Sequence, residues 1–152
     1  MQRWSVFDPD GIMNGWKTVL ATHEEAQKLS HGVPWLGDNF PGVALPSVKA
    51  HGRWVIVKLG DRWTCAQVMD VGPFCQDDDE YVFGTAIPRA QRLVGKPCPM
   101  TLADPSSRAT LPDGREVETS NGAGIDLFPR IARQLDIPIN DNVWVEWKFL
   151  EI

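Results

Sequence analysis

Residues 53–74 read RWVIVKLGDRWTCAQVMDVGPF: two runs of β-branched and aromatic residues flank GDR, and the second run ends on an aspartate and a glycine-proline turn. Branching at Cβ suits a pleated surface, and Gly60 in the short loop is free to adopt a positive φ, so the stretch predicts a β-hairpin. Along its second arm, alternation puts Thr64, Ala66, Val68 and Asp70 on one face and Trp63, Cys65, Gln67 and Met69 on the other. Asp70 is therefore expected to continue an inward or cleft-lining face.

The chain ends on a second strand signal, NVWVEWKFLEI, in which Val143, Val145, Trp147 and Phe149 alternate with Trp144, Glu146 and Lys148. Between the two, DLFPRIARQLDIP predicts a short helix with Pro129 in its first turn, Ile131 and Leu135 one turn apart and Pro138 closing it. Nearer the N-terminus, THEEAQKL has the form of a helix start, with Thr22 as N-cap and Glu25 in the capping-box position. PWLGDNFPGVALP then leads into a short strand near Val43 to Leu45. Residues 75–120 carry DDDE, several prolines and the turn LPDGRE with little periodicity; they are expected to form a long inserted loop, with a small hairpin around Asp113 and Gly114.

A chain of 152 residues with 43% hydrophobic content is read as one domain with a single core. Its net charge of −5 gives no electrostatic footprint for nucleic acid, and no Lys/Arg cluster marks an anionic membrane surface. A soluble monomer is expected, made in the cytoplasm, since no signal peptide or membrane span is visible. Action outside the cell would then require another export route. Cys65, Cys75 and Cys98 match no zinc spacing; one disulfide is possible, with Cys75 to Cys98 the candidate pair. Seven tryptophans stand beside one tyrosine, and Trp35, Trp54 and Trp63 are candidates either for sugar stacking or for core packing.

The second candidate carboxylate is Asp126, in NGAGIDLFP, where the glycines permit close backbone approach. Taken singly, each aspartate has a plain structural explanation: Asp126 as a helix N-cap and Asp70 as the anchor of the VGP turn. The DDDE run, residues 77–80, is read either as a solvated acidic loop or, less simply, as a calcium site lacking the EF-hand spacing. His23 and His31 read as surface residues of a polar helix and its exit. No metal or cofactor signature stands out.

Taken together, AQVMDVGPF, the downstream NGAGIDLFPRIARQLDI and the terminal VWVEWKF resemble the double-psi β-barrel family of rare lipoprotein A, expansins and glycoside hydrolase family 45. The family pattern is a strand ending in an Asp-x-Gly-Pro-aromatic turn, here Asp70, Gly72, Pro73 and Phe74. An Ile-Asp-Leu turn opening a helix follows, here Ile125, Asp126 and Leu127, and then a closing strand. GVALPSVKAHGRWVIV also resembles the stretch before the barrel hairpin, although Pro46 stands where rare lipoprotein A carries a histidine, and His51 does not match that position. The resemblance covers about residues 42–74 and 121–150.

What the resemblance implies is a mainly β fold: a six-stranded double-psi barrel with short helices, an N-terminal extension over residues 1–41 and the insertion over 75–120. It further implies a polysaccharide groove with Asp126 and Asp70 on its floor, and Gly72, Phe74, Asn121, Trp35 and Trp54 along it. The expected activity is cleavage of a cell-wall glycan, peptidoglycan above all, by a lytic transglycosylase or muramidase. Asp126 would be the general acid and Asp70 its neighbour, with no cofactor. The leaving oxygen in such chemistry needs a carboxylic acid kept protonated by desolvation or by a nearby carboxylate. A helix N-terminus beside Asp126 would act in the opposite sense. The alternatives are an expansin-like binding module without bond cleavage, and a structural component of a phage or secretion apparatus. Family 45 also uses an N-terminal aspartate, for which Asp8 in VFDPD is the loose counterpart.

Overall fold

The computed structural model describes residues 15–23, 37–73, 75, 77–96, 120–138 and 141–150. Six strands close into a barrel: β1 (Lys17–His23), β2 (Gly42–Leu45), β3 (Trp54–Leu59), β4 (Arg62–Val71), β5 (Ala123–Leu127) and β6 (Val143–Phe149). Around the barrel the order is β1-β5-β2-β4-β3-β6. The β1/β5 and β2/β4 pairs are parallel and the other four antiparallel. Exchanging the first three strands with the last three leaves this neighbour order unchanged, so the topology has an internal two-fold relation. Three short α-helices, α1 (Asp79–Val82), α2 (Arg89–Arg92) and α3 (Pro129–Gln134), and a 3-10 turn at Val48–Ala50 accompany the barrel. None of the described helices is long and apolar enough to cross a membrane.

Each strand sends two side chains into the barrel: Val19 and Ala21, Val43 and Leu45, Val55 and Val57, Ala66 and Val68, Ile125 and Leu127, and Val145 and Trp147, all at 1% exposure or less. Most are small or β-branched, which lets twelve side chains fill a narrow interior. Trp147 is the one large occupant, edge-on to Tyr81 at one mouth of the barrel. The opposite mouth is stopped by α3, whose Ile131 and Ala132 join the core together with Leu135 just beyond the helix. The helix starts on Pro129, whose missing N–H costs nothing there, and Asp136 leaves it in a left-handed conformation (φ 59°).

The β3–β4 hairpin runs in register from Leu59↔Arg62 to Trp54↔Gln67, with Gly60 at φ 59° in its two-residue loop, and β6 and α3 lie where the sequence places them. Three readings are corrected. β1 lies inside the stretch read as an extension and is an integral barrel strand, and Thr22 and His23 are its last residues rather than the start of a helix. Pairing with β5 and β6 outweighs the local cap signal. His23 is half-buried, and its Nε2 is buried without a partner among the described residues.

The second correction concerns residues 75 and 77–96, which are structured. Asp78, 1% exposed, accepts from the backbone N–H of Arg89 at 2.6 Å and faces its guanidinium at 3.7 Å. Asp79 accepts from the Ser47 hydroxyl at 2.6 Å and pairs with Lys49 at 2.9 Å. Asp79 thus ties this segment to its neighbours, while Asp78 and Asp77, the latter 3.4 Å from Arg89, brace it internally. Cys75 is disulfide-bonded and Cys65 is a free thiol; Cys98, like Asp113 and Gly114, lies outside the described residues.

The third correction is that Asp70 does not share the inward face of Val68. Val43 pairs with Val68, yet the next residue, Ala44, pairs with Asp70, so β4 holds one extra residue, Met69. Consecutive strand residues face opposite ways, so the shift carries Asp70 off the face of Val68 and onto the outer surface of the barrel.

Two outcomes test this packing. A Cβ at Gly42 would strike the buried Phe128 ring, whereas one at Gly52 meets nothing within 4 Å and is opposed only by its φ of +85°. Gly42→Ala is expected to lower stability by about 1–3 kcal/mol in urea unfolding and Gly52→Ala by about 1 kcal/mol; equal effects would show that ring contact is not what holds Gly42. Ser47 and Lys49 hold the Asp79 carboxyl below its usual range, with Arg89 adding to the same effect. Stability from a depressed carboxylate is complete above its unfolded pKa and is lost as pH falls through the folded one. The stability difference between the wild type and Asp79→Asn should therefore be present at neutral pH and shrink below about pH 4; a difference independent of pH would remove Asp79 from the acid response.

Candidate functional site

The outer face of the barrel brings four register partners into one row. Thr22 on β1 pairs with Asp126 on β5, Asp126 with Ala44 on β2, and Ala44 with Asp70 on β4. Register partners point the same way, and the neighbours Ala21, Ile125, Leu127, Val43 and Leu45 all point into the core. The two carboxylates therefore lie on one surface on either side of Ala44, their Cα atoms two strand spacings, about 10 Å, apart. Alanine puts a single methyl between them.

Asp126 is not a helix cap. It lies within β5, and the residue capping α3 is Phe128, which makes no side-chain cap bond. Instead the Thr22 hydroxyl donates to Asp126 Oδ1 at 3.0 Å, which fixes the rotation of the carboxyl group. Nor does Asp70 hold the VGP turn through the amide two residues on, because the N–H of Gly72 donates to the carbonyl of Leu45 at 3.2 Å. Asp70 Oδ1 accepts from the adjacent N–H of Val71 at 2.9 Å. The row is little exposed: Ala44 at 1%, Asp70 at 4% and Asp126 at 9%.

A second register shift serves Asp126. Leu20 pairs with Ala123 but Ala21 with Ile125, so Gly124 is the extra residue on β5. Only glycine fits there, since a Cβ would come within 2.9 Å of Pro88 Cγ and of the Tyr81 hydroxyl and 3.1 Å from Val19. The Tyr81 hydroxyl donates to the carbonyl of Gly124 at 2.9 Å and accepts from the Trp147 indole N–H at 2.7 Å. Burial raises the Tyr81 phenol far above its usual range, so it stays neutral and keeps donating.

Of the other residues read as groove-lining, Gly72 is buried just past β4, and Asn121 is exposed with its Oδ1 accepting from the N–H of Ala123 at 3.0 Å, turning the chain into β5. Trp54, 36% exposed, is on the outer face of β3 opposite Gln67, three residues before Asp70 on the neighbouring strand. Phe74, Trp35, His31 and Asp8 lie outside the described residues. Two contributors were not anticipated. Thr22 was hidden by its helix-cap context, and Tyr81 carried only the signal of being the lone tyrosine in the chain.

No protein-family model matches the chain, and no curated protein sequence matches it.

Tyr81→Phe keeps the ring but leaves the Gly124 carbonyl and the Trp147 N–H without their partner. The expected cost is about 1–3 kcal/mol in urea unfolding; a loss below about 0.5 kcal/mol would mean that this bonding does not hold the β5 bulge.

Proposed function

We propose that the protein cleaves a cell-wall glycan, peptidoglycan in the first instance, on the outer face of a double-psi β-barrel, with Asp126 as general acid and Asp70 as its neighbour. The observation that carries this reading is the row Thr22, Asp126, Ala44, Asp70, in which two carboxylates share one face with only a methyl group between them. The internal two-fold relation of the strand order supports the double-psi assignment. In the reaction, Asp126 gives its proton to the leaving glycosidic oxygen as the bond to the anomeric carbon breaks. In a lytic enzyme the 6-hydroxyl of the same sugar attacks that carbon and yields its proton to a carboxylate, closing an anhydro ring; in a muramidase, water takes its place. Thr22 would hold Asp126 in the orientation for transfer. A disulfide at Cys75 suits an oxidising compartment, as action at a wall requires.

An expansin-like binding role is the second reading; the Thr22 hydroxyl, by donating to Asp126, holds that carboxyl as a hydrogen-bond acceptor, which suits binding without cleavage. Incubation with purified sacculi separates the two, because only an enzyme releases soluble muropeptides, and anhydro ends among them would identify lytic chemistry. Asp126→Asn keeps an oxygen for the Thr22 hydroxyl and should preserve the unfolding midpoint while slowing release by about 10²–10⁴-fold. Unchanged release would reject Asp126 as the acid; no release by the wild type, with binding to the sacculi retained, would select the binding role.

A further inference from the structure

We infer that a depression between α3 and the turn before β2 is a carboxylate-binding subsite, built from Arg130 and Arg133, that selects an acidic polymer over a neutral one. The depression has a volume of about 440 Å³ and is lined by Asn39, Arg130, Arg133 and Gln134. Its lining is unusual in what it leaves available. Arg130 Nη1 donates to the carbonyl of Asn39 at 3.1 Å, and Arg133 Nη2 donates to the carbonyl of Asp38 and to Asn39 Oδ1, both at 3.0 Å. Gln134 Oε1 accepts from the Thr64 hydroxyl at 2.6 Å. The side-chain acceptors of Asn39 and Gln134 are thus engaged within the protein, whereas both amides keep N–H groups and the two guanidiniums, with five donors each, keep most of theirs.

Charge points the same way. The chain carries 20 acidic residues against 15 Lys and Arg, yet neither Arg130 nor Arg133 forms an ion pair among the described residues. The charged neighbours are already placed: Asp136 faces Arg62 at 3.8 Å, and Asp38 meets Arg133 through its backbone carbonyl. An open, donor-rich surface carrying two planar guanidinium forks fits a ligand rich in acceptors and negatively charged, and a carboxylate matches a fork by two parallel bonds.

Chain connectivity keeps the subsite within reach of the row. Arg130 follows Asp126 by four residues, so their Cα atoms are within about 14 Å, and Asn39 leads into β2, which carries Ala44. This deepens the reading of the protein as wall-active and rests on it for the identity of the polymer. A glycan crossing the row would present a substituent at the depression, and the inference requires that substituent to be acidic, as a stem peptide is and the hydroxyls of cellulose or chitin are not.

The test uses the full chain and three soluble probes: the dipeptide alanyl-glutamate, its uncharged diamide and inorganic phosphate, followed by NMR of the arginine side-chain N–H groups. Alanyl-glutamate is expected to shift the Arg130 and Arg133 signals, to bind about tenfold or more weakly to the double variant R130Q/R133Q, and to weaken with added salt. The diamide should shift nothing, and phosphate should bind less well than the dipeptide. Equal binding to the double variant, or stronger binding of phosphate, would overturn the carboxylate assignment. Because both arginines also tether the turn at residues 38–39, R130K/R133K serves as the second variant: it keeps the charge and loses the fork, so several-fold weaker dipeptide binding supports the subsite and unchanged binding opposes it. Sacculi digestion separates this inference from the one beneath it. Release of muropeptides without dipeptide binding refutes the subsite alone, whereas dipeptide binding without wall binding or release refutes the wall-active reading and leaves the anion site standing.

Discussion

Both aspartates owe their place on the outer face of the barrel, where they are nonetheless buried, to a single extra residue in the parallel ladder just before them. On β4 that residue is Met69, and on β5 it is Gly124. Without the first shift, alternation would aim Asp70 into the barrel with Val68; without the second, Asp126 would follow the inward phase in place of Ile125. A carboxylate among those valines would lose its hydration with nothing to replace it, at a cost of several kcal/mol. The shifts avoid that cost and at the same time align Thr22, Asp126, Ala44 and Asp70 across four strands. The core and the row are therefore two sides of one constraint.

The second bulge is held from within. Gly124 can be the extra residue because it has no side chain, and its carbonyl is taken by Tyr81, whose hydroxyl is in turn fixed by the Trp147 indole. Tyr81 is delivered to the barrel mouth by α1, and that helix is tied down by Asp78 with Arg89 and Asp79 with Ser47. A segment that reads as an acidic loop thereby reaches the position of Asp126 through a chain of buried bonds. The opposite mouth is closed by α3, which carries Arg130 and Arg133 on its exposed side. Tyr81 thus braces the strand that carries Asp126, and α3 carries the two arginines.

The chain itself determined the elements whose signal is local and strong. The hairpin over residues 54–71 follows from β-branched runs around a glycine, β6 from uninterrupted alternation, and α3 from Pro129 with Ile131 and Leu135 one turn apart. Only the tertiary structure decided the rest. The strands that carry Asp70 and Asp126 do not pair with each other; β2 lies between them. β1 forms because β5 and β6 offer it partners on both edges, which outweighs a cap signal at Thr22 that is worth about 1 kcal/mol. The facing of Asp70 depends on which residue is left out of a ladder, and period-two alternation carries no mark of such a shift. The bonds that engage the amide oxygens of Asn39 and Gln134 depend likewise on groups up to 94 residues apart; pairing over that separation is set by barrel closure and leaves no trace in the local order of residues.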